Sequence, residues 1–399
     1  MPHTRHVDFP VFDADMHYYE DDDAFIRHVP KDMHKRCMQW AVVNGKKRLL
    51  VAGEINRFIP NPTWDPIAKP GSLDEYFRGK NAGGVDVKTM FGELDPIAEH
   101  PEYQDRDKRL DVMDAQGVEA AFFFPTLAVG TQQALAHDIP AMLAAFRGFN
   151  RWLLEDWGFA YKNRIFAAPM LTLADVDAAI AEVDWAIENG ARMMAMVPGP
   201  VPTAKGNISP AWPSFDPVWA RLNEAGITVG IHGGDGGMSA YVANWEPAGP
   251  MQAFRATPFS TVATHEKQIF DTMAAFVCHG LFDRHPNLRI ATIENGGMFV
   301  PHLVDELKLC YGKMPQEFRR DPVESFQEHV WVSPFYEDDI PLLRDLIGAD
   351  HLLFGSDWPH AEGLADPTAF IHDIPGFADD EVRRVMRDNA WELVTPRAA

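Results

Sequence analysis

Acidic and histidine side chains directly follow several of the short apolar runs in this sequence. They are Asp15, His17, His232, Glu294 and Asp357. Asp15 and His17 stand two residues apart, so on a strand both side chains point to the same side. Imidazole nitrogens and carboxylate oxygens are ligands that divalent metals accept. We therefore predict that these five residues form one metal site.

Each of these residues alone also has a purely structural interpretation. An aspartate at a strand end caps the following helix in many proteins. The glycines that follow His232 and Glu294 could simply form turns. The joint pattern favours a site, because five such residues recur at the same end of four candidate strands. Caps alone do not readily produce that spacing.

The predicted catalytic residues are Asp357, Glu294 and His360. A divalent ion held by three or four side chains keeps a position open and lowers the pKa of bound water toward about 7. Asp357 is then the expected proton acceptor from water and donor to the leaving group. Glu294 is a metal ligand or a second acid or base, with an anchor for the next turn as the alternative. His360 lines the pocket or orients a ligand.

Eight short, β-rich apolar runs are the candidate strands that carry these residues. Most do not alternate with polar residues, as expected of strands buried on both faces of a parallel sheet. Segments with helical spacing separate many of them, such as 174–189, and a similar segment at 379–393 closes the chain. This order predicts one α/β domain over residues 1–399, a (β/α)8 TIM-type barrel, with a doubly wound open sheet as the alternative. The runs are 9–12, which leads into 13–17, then 120–124, 165–168, 193–197, 227–231, 288–293, 330–332 and 351–354.

Residues 21–110 form a long insertion after the first strand. They greatly exceed an ordinary connection between a strand and a helix. Within them, 40–51 predicts a hairpin around Asn44-Gly45. Loops that follow barrel strands lie at the face that holds active sites, so we predict a lid or specificity element. An appendage for packing or dimerisation is the alternative.

The composition argues against several classes of protein. A formal net charge of −22 disfavours nucleic acid as a partner, because phosphate recognition needs a basic face. The three cysteines are widely spaced and form no disulfide or metal pattern. The N-terminal stretch lacks the apolar core of a secretion signal, and no apolar run is long enough for a membrane span. We therefore expect a cytoplasmic protein with no membrane partner. Patterns for a serine nucleophile elbow or a nucleotide-binding loop are also missing.

Five passages of the chain resemble the amidohydrolase superfamily. The resemblance is to the amidohydrolase-2 branch, which includes aminocarboxymuconate-semialdehyde decarboxylase and γ-resorcylate decarboxylase. It extends from residue 11 to about 395, apart from the insertion, and the order and spacing of its motifs are specific. The passages are 13–17 (DADMH), 109–118 (RLDVMDAQGV), 280–288 (GLFDRHPNL), 294–297 (ENGG) and 355–360 (GSDWPH).

The resemblance implies a role for each member of the predicted site. In this family the first strand supplies a His-x-His pair, a later strand a third His, and the eighth strand an Asp. A His that ends the sixth strand acts on the substrate. By position, Asp15 and His17 match the pair, His232 the third ligand and Asp357 the aspartate, while Glu294 stands at the place of the sixth-strand His. Two nitrogens are thus replaced by oxygens. Zn2+ is the metal that the resemblance implies, and Mn2+ or Fe2+ are alternatives for this harder site.

The resemblance also implies a metal-dependent enzyme that acts on a small, cyclic or carboxylated organic substrate. We expect a hydrolase first, because Glu294 would repel an acidic substrate unless it binds the metal or is protonated. The alternatives are a non-oxidative decarboxylase of an aromatic or muconate-like acid, and a non-catalytic ligand-binding barrel. The expected partner is the small-molecule substrate, and a homodimer is an expectation taken from the family alone.

Overall fold

The computed structural model describes residues 5–59, 61–247, 252 and 256–397, so residues 1–4 of the N-terminal stretch considered above lie outside the described residues. The strands are β1 Val11–Tyr18, β2 Met38–Val43, β3 Lys46–Val51, β4 Glu54–Ile55, β5 Ile67–Ala68, β6 Leu94–Asp95, β7 Val118–Pro125, β8 Ile165–Ala167, β9 Met193–Met196, β10 Val201–Thr203, β11 Gly206–Ile208, β12 Thr228–His232, β13 Arg289–Ile293 and β14 Val330–Val332. The α-helices are α1 Asp74–Phe77, α2 Val87–Met90, α3 Arg106–Gln116, α4 Thr131–Ala134, α5 Ile139–Asp156, α6 Val176–Glu188, α7 Asp216–Ala225, α8 Met238–Val242, α9 Pro258–Thr264, α10 Lys267–Cys278, α11 Leu281–Arg284, α12 Phe299–Lys313, α13 Pro322–His329, α14 Ile340–Ile347, α15 Asp379–Arg383 and α16 Asn389–Val394.

Parallel strands form the barrel in two arcs. One arc has the order β1-β7-β8 and the other the order β9-β12-β13-β14. A parallel bridge between Met170 and Ala195 joins them on one side. On the other side residues 352–358, the eighth segment, close the ring, since Leu352 pairs with β14 and Trp358 with β1. The predicted barrel is confirmed. The open-sheet alternative is wrong, because the first and last strands are joined through the eighth segment.

The eighth segment is held by isolated bridges, although the sequence predicts a regular strand at 351–354. The Leu353 N–H donates to the Val332 carbonyl at 2.9 Å, and the Ala14 N–H donates to the Phe354 carbonyl at 2.8 Å. The extended run then ends at Asp357, whose φ of 57° lies in the left-handed region. The segment therefore completes the ring with few ladder bonds.

Burial of the strands follows the unalternating pattern of the sequence. Every residue of β1, β12 and β13 is buried, since one face fills the barrel and the other lies under helices. The helix predicted at 174–189 is α6, where the Asp175 side chain caps the first turn and Gly190, with φ 89°, follows the end. The helix predicted at 379–393 is α15 and α16, joined by a π-turn at 384–388. None of the helices in the described part of the chain combines the length and apolar character needed to cross a membrane.

The insertion packs against the loop that follows the eighth segment. Its predicted hairpin is the pair β2 and β3, turned by Asn44 and Gly45 at φ 52° and 74°. Further along, the Leu73 N–H donates to the Ala361 carbonyl at 2.8 Å. Helix α3 begins at Arg106, so the last residues of the predicted insertion belong to the barrel's own helix. The insertion thus touches the face at which the strands end.

Candidate metal centre

Strand β1 brings Asp15 and His17 into the barrel mouth side by side. Both are buried, at 3% and 1% relative exposure, and Asp15 Oδ1 lies 3.4 Å from His17 Nε2. The chain then runs through buried Tyr18 into the insertion. The two-residue spacing on one strand therefore produces the shared direction that the sequence predicts.

His232 ends β12 and faces the same point from the opposite arc. Its Nε2 lies 3.5 Å from Asp15 Oδ1. Its Nδ1 lies 2.9 Å from the Gly233 carbonyl, and because a carbonyl only accepts, Nδ1 carries the proton and donates. In the neutral ring Nε2 then carries the lone pair, and this nitrogen faces Asp15. This arrangement suits an imidazole that binds a metal.

Two further carboxylates close the cluster. Asp357 Oδ1 lies 3.3 Å from His17 Nε2, and Glu294 Oε2 lies 3.3 Å from His232 Nε2. Both residues have a left-handed backbone, with φ 57° at Asp357 and 51° at Glu294. Non-glycine residues adopt this region at a cost, and such costs concentrate at functional sites. All five residues of the predicted site are thus brought together.

The donor atoms of this cluster fit a divalent cation. Asp15 Oδ1, His17 Nε2, His232 Nε2 and Asp357 Oδ1 are buried, and none has a hydrogen-bond partner among the described residues. Buried polar atoms without partners cost free energy, so four at one point indicate a missing common partner. The ligand atoms of Asp15, His17 and His232 all lie within 4.8 Å of one another. Two imidazoles and up to three carboxylates form a hard, mixed N/O set.

The electrostatics of the protein alone reflect crowded carboxylates. Burial and the neighbouring Asp357 raise the pKa of Glu294 well above its usual range. Burial, with Glu362 and Asp15 nearby, raises the pKa of Asp357 in the same direction. Burial opposes ionisation of Asp15 as well, but its contacts with His17 and His232 outweigh this and lower its pKa. Burial and mutual repulsion therefore oppose ionisation of the two outer carboxyl groups, whereas the histidine contacts favour the ionised form of Asp15.

Exposure within the site points to one open side. The side chains of His17 and His232 are 1% exposed, whereas those of Asp357 and Glu294 are 14% and 27% exposed. A substrate therefore reaches the cluster past Asp357 and Glu294. The remaining sides are walled by aromatic rings, such as Phe124, whose ring centroid lies 4.5 Å from that of His232.

His360 joins the cluster through Asp357. Its Nδ1 lies 2.6 Å from Asp357 Oδ1, and its ring lies 4.0 Å from that of His17. Neither atom has a hydrogen-bond partner among the described residues, and His17, Asp357 and His360 offer ligand atoms within 4.8 Å of one another, so a cation is a partner that suits both. The sequence predicts His360 in the pocket, and the structure places it there.

The structure places three further buried polar residues near the site, and the sequence gives no prediction of a functional role for them. Thr126 contacts His17 and His360, and Asp13 accepts hydrogen bonds from Ser356. Glu20 accepts hydrogen bonds from two backbone N–H groups of the loop after β7. Asp13 could have been predicted from the sequence, since it precedes Asp15 by the same two-residue spacing that separates Asp15 from His17. Thr126 could not, because a single threonine after a strand forms no pattern that indicates a function.

The chain is similar to known proteins over nearly its whole length. The model of a family described as amidohydrolase matches residues 12–394. A solved amidohydrolase from Mycobacterium avium subsp. paratuberculosis K-10 is 44% identical, with a TM-score of 0.92 over 98% of this chain and 100% of that one.

Decarboxylases are also among the similar proteins. γ-Resorcylate decarboxylase of Rhizobium radiobacter is 26% identical over 300 residues, which cover 72% of this chain and 86% of the relative. A solved dihydroxybenzoic acid decarboxylase from Polaromonas sp. JS666, with bound manganese and the inhibitor 2-nitroresorcinol, is 18% identical. Its TM-score is 0.58 over 81% of this chain and 93% of that one, and at this identity the likeness shows the fold alone.

Proposed function

The chain belongs to the amidohydrolase family, and from that premise we propose that it is a metal-dependent, non-oxidative decarboxylase of a small aromatic acid. This reorders the expectations from the sequence, which placed hydrolysis first. The curated relatives that cover 72% of the chain are γ-resorcylate decarboxylases. A small-molecule substrate and a cytoplasmic location complete the proposal.

Asp15, His17 and His232 would hold the ion, with Asp357 against the same position. When bound, a divalent ion supplies a Lewis acid that polarises a carboxylate or hydroxyl oxygen of the substrate. We place Mn2+ ahead of Zn2+, because the site is rich in oxygen ligands.

The contact between Asp357 and His360 is the observation that carries the proposal. His360 Nδ1 and Asp357 Oδ1 lie 2.6 Å apart beside the open side of the site, so a proton can pass between them after a small rotation of either side chain. Loss of CO2 from an aromatic acid needs such a proton. The bond between the ring carbon and the carboxylate breaks, the electron pair stays on the ring carbon, and CO2 leaves. Asp357 then gives its proton to that carbon and regains one from solvent, with His360 orienting the carboxyl group.

Glu294 accommodates an acidic substrate if it is protonated. Burial and Asp357 raise its pKa, so its carboxyl group can donate a hydrogen bond to a substrate oxygen instead of repelling it. This removes the reason for which the sequence favoured a hydrolase.

Hydrolysis is the second candidate, and the position of Glu294 favours it. Glu294 Oε2 lies 3.3 Å from His232 Nε2, so an ionised Glu294 could accept a proton from an attacking water. The third alternative, a non-catalytic barrel, requires a decayed site. The four unpaired buried donor atoms at one point argue against decay.

A substrate panel with isotope labelling tests the order. Mn2+-loaded protein is incubated with mono- and dihydroxybenzoates and, separately, with cyclic amides, lactones and aryl esters. We expect CO2 release from a hydroxybenzoate, with one deuterium on the vacated ring carbon in D2O. The D357N variant should abolish release, while D380N, at an exposed position of α15, should retain it. Hydrolysis of the second panel without CO2 from the first would overturn the proposal.

A further inference from the structure

Thr126 follows β7 and places its buried hydroxyl between two imidazoles. Its Oγ1 lies 2.9 Å from the Tyr18 carbonyl, 3.0 Å from His360 Nε2 and 3.5 Å from His17 Nδ1. We propose that Thr126 is a positioning residue that fixes the tautomers of His17 and His360, so that each turns a lone pair toward the reacting centre. This inference rests on the proposed metal site, but not on decarboxylation.

The Thr126 hydroxyl has three neighbours but only one proton to donate. A threonine hydroxyl has one proton and can accept two hydrogen bonds. The Tyr18 carbonyl can only accept, so the contact of 2.9 Å takes the threonine proton. The same oxygen therefore acts as acceptor toward the two imidazole nitrogens. His360 Nε2 and His17 Nδ1 must then be the protonated nitrogens.

Protonation of His17 Nδ1 and His360 Nε2 determines that the lone pairs lie on the other ring nitrogens, His17 Nε2 and His360 Nδ1. A neutral imidazole with one protonated nitrogen has a lone pair on the other. His17 Nε2, which faces Asp15 and Asp357, becomes a ligand for the ion. His360 Nδ1, at 2.6 Å from Asp357 Oδ1, is left with a lone pair that faces this carboxyl group.

The arrangement of the two rings supports one shared anchor. Their centroids are 4.0 Å apart and their planes differ by 32°, so both edges meet the same hydroxyl. The tautomer of His232 is fixed by a different acceptor, because its Nδ1 donates to the Gly233 carbonyl. Each of the three imidazoles of the site thus has one nitrogen fixed by an acceptor outside the cluster.

The alternative is that Thr126 only ties β1 to β7 through its bond to Tyr18. Paired variants separate the two roles. T126V removes the hydroxyl at nearly constant volume, whereas T126S retains it. T228V is the matched control, because Thr228 is also a buried barrel threonine whose hydroxyl donates to a carbonyl, that of Leu393, but it lies at the opposite end of β12 from His232.

The main measurement is Mn2+ affinity by titration with electron paramagnetic resonance detection. Loss of a group that orients metal-binding histidines typically costs about 10- to 100-fold in affinity. We expect that loss for T126V, an affinity near that of the wild type for T126S, and an unchanged affinity for T228V. In Zn2+-loaded protein, 15N shifts of histidine should show protonated Nδ1 for His17 and protonated Nε2 for His360, with mixed tautomers in T126V.

The results separate this inference from the proposed function. Wild-type affinity and tautomers in T126V, or equal losses in T126V and T228V, would overturn the positioning role. A T126V protein that fails to fold leaves T126S and the wild-type tautomers as the deciding measurements. The expected affinities and tautomers in a protein that releases no CO2 would support the inference and reject only the decarboxylase assignment.

Discussion

Ser356 donates two hydrogen bonds to Asp13, one from its backbone N–H at 3.0 Å and one from its hydroxyl at 2.5 Å. The two residues lie 343 positions apart in the chain and are both buried. Asp13 shares β1 with Asp15 and His17, while Ser356 precedes Asp357 in the eighth segment. This pair therefore joins the two parts of the barrel that carry ligands but share few ladder bonds. It explains how a segment held by isolated bridges keeps Asp357 in place.

S356A should lower both the stability and the metal affinity of the protein. The change leaves an Asp13 oxygen without its hydroxyl donor, and it also removes the acceptor of the Trp358 N–H. Unpaired buried groups cost about 1–3 kcal/mol each, so we expect a loss of that order in the free energy of unfolding. Urea denaturation with and without Mn2+ measures it.

The matched control for this prediction is S325A. Ser325 on α13 is also buried, at 5% exposure against 1% for Ser356, and it belongs to a different element from Asp13 and Ser356. A destabilisation of the same size in both variants would show that burial, and not the bond to Asp13, matters at Ser356.

Asp15 should determine which metal the site prefers. Its Oδ1 lies 3.4 Å from His17 Nε2 and 3.5 Å from His232 Nε2, where the family pattern has a histidine. D15H replaces an oxygen ligand with nitrogen, which suits Zn2+ better than Mn2+. We expect the ratio of Zn2+ to Mn2+ affinity to rise by about tenfold or more. Competition titrations with chelators measure the ratio.

The D15N variant is the control for charge, because it keeps an oxygen at the same position. It should weaken both metals without a comparable change in their ratio. If D15H weakened both metals equally, Asp15 would not be a metal ligand and the selectivity would arise elsewhere.

The sequence predicts the site better than it predicts the contacts that hold it. A polar residue directly after an apolar run is local information, and parallel strands in a barrel place their carboxyl ends at one face. Asp15, His17, His232, Glu294 and Asp357 could therefore be predicted together. The hairpin is also predictable from local sequence. Its turn needs positive φ at two consecutive residues, and the Asn44-Gly45 pair adopts this conformation readily.

The remaining contacts depend on residues that are distant in sequence. Thr126 meets His17 and His360 across 109 and 234 positions, and nothing in its neighbourhood marks it. The run 351–354 predicts a strand in the eighth segment, because three of its four residues are apolar. Its ladder is interrupted because Asp357 turns into the left-handed region soon afterwards. Such tertiary contacts override the local pattern.

The insertion should affect substrate binding without affecting the metal. Gly71 has φ 73°, and a Cβ there would lie 2.8 Å from the Ala365 backbone N in the loop after the eighth segment. Its own N–H donates to the His360 carbonyl at 3.2 Å. G71A should therefore displace the insertion from this loop. We expect a several-fold increase in KM at unchanged Mn2+ affinity, measured by steady-state kinetics and titration.

G79A is the matched control for G71A. Gly79 has a similar φ of 67°, but a Cβ there meets no atom within 4 Å. Both variants carry the cost of a left-handed alanine, and only G71A also clashes. Equal and unchanged KM values in the two variants would support the alternative that the insertion is a packing appendage.

Glu20 should make the metal-free protein less stable as the pH rises from about 4.5 to 7. Burial raises its pKa from 4.5 to about 7, although Leu127 and Ala128 donate backbone hydrogen bonds to its Oε1. The other oxygen, Oε2, is buried and has no partner among the described residues. Between these pH values the folded state binds more protons at Glu20 than the unfolded state, so the free energy of unfolding falls with increasing pH. E20Q cannot ionise, and relative to wild type it should gain roughly 3 kcal/mol by pH 8. Urea denaturation of both proteins from pH 5 to 8 tests this, and the two should be closest in stability at pH 5. Curves that stay parallel over the whole range would mean that Glu20 is not the group whose proton the fold retains.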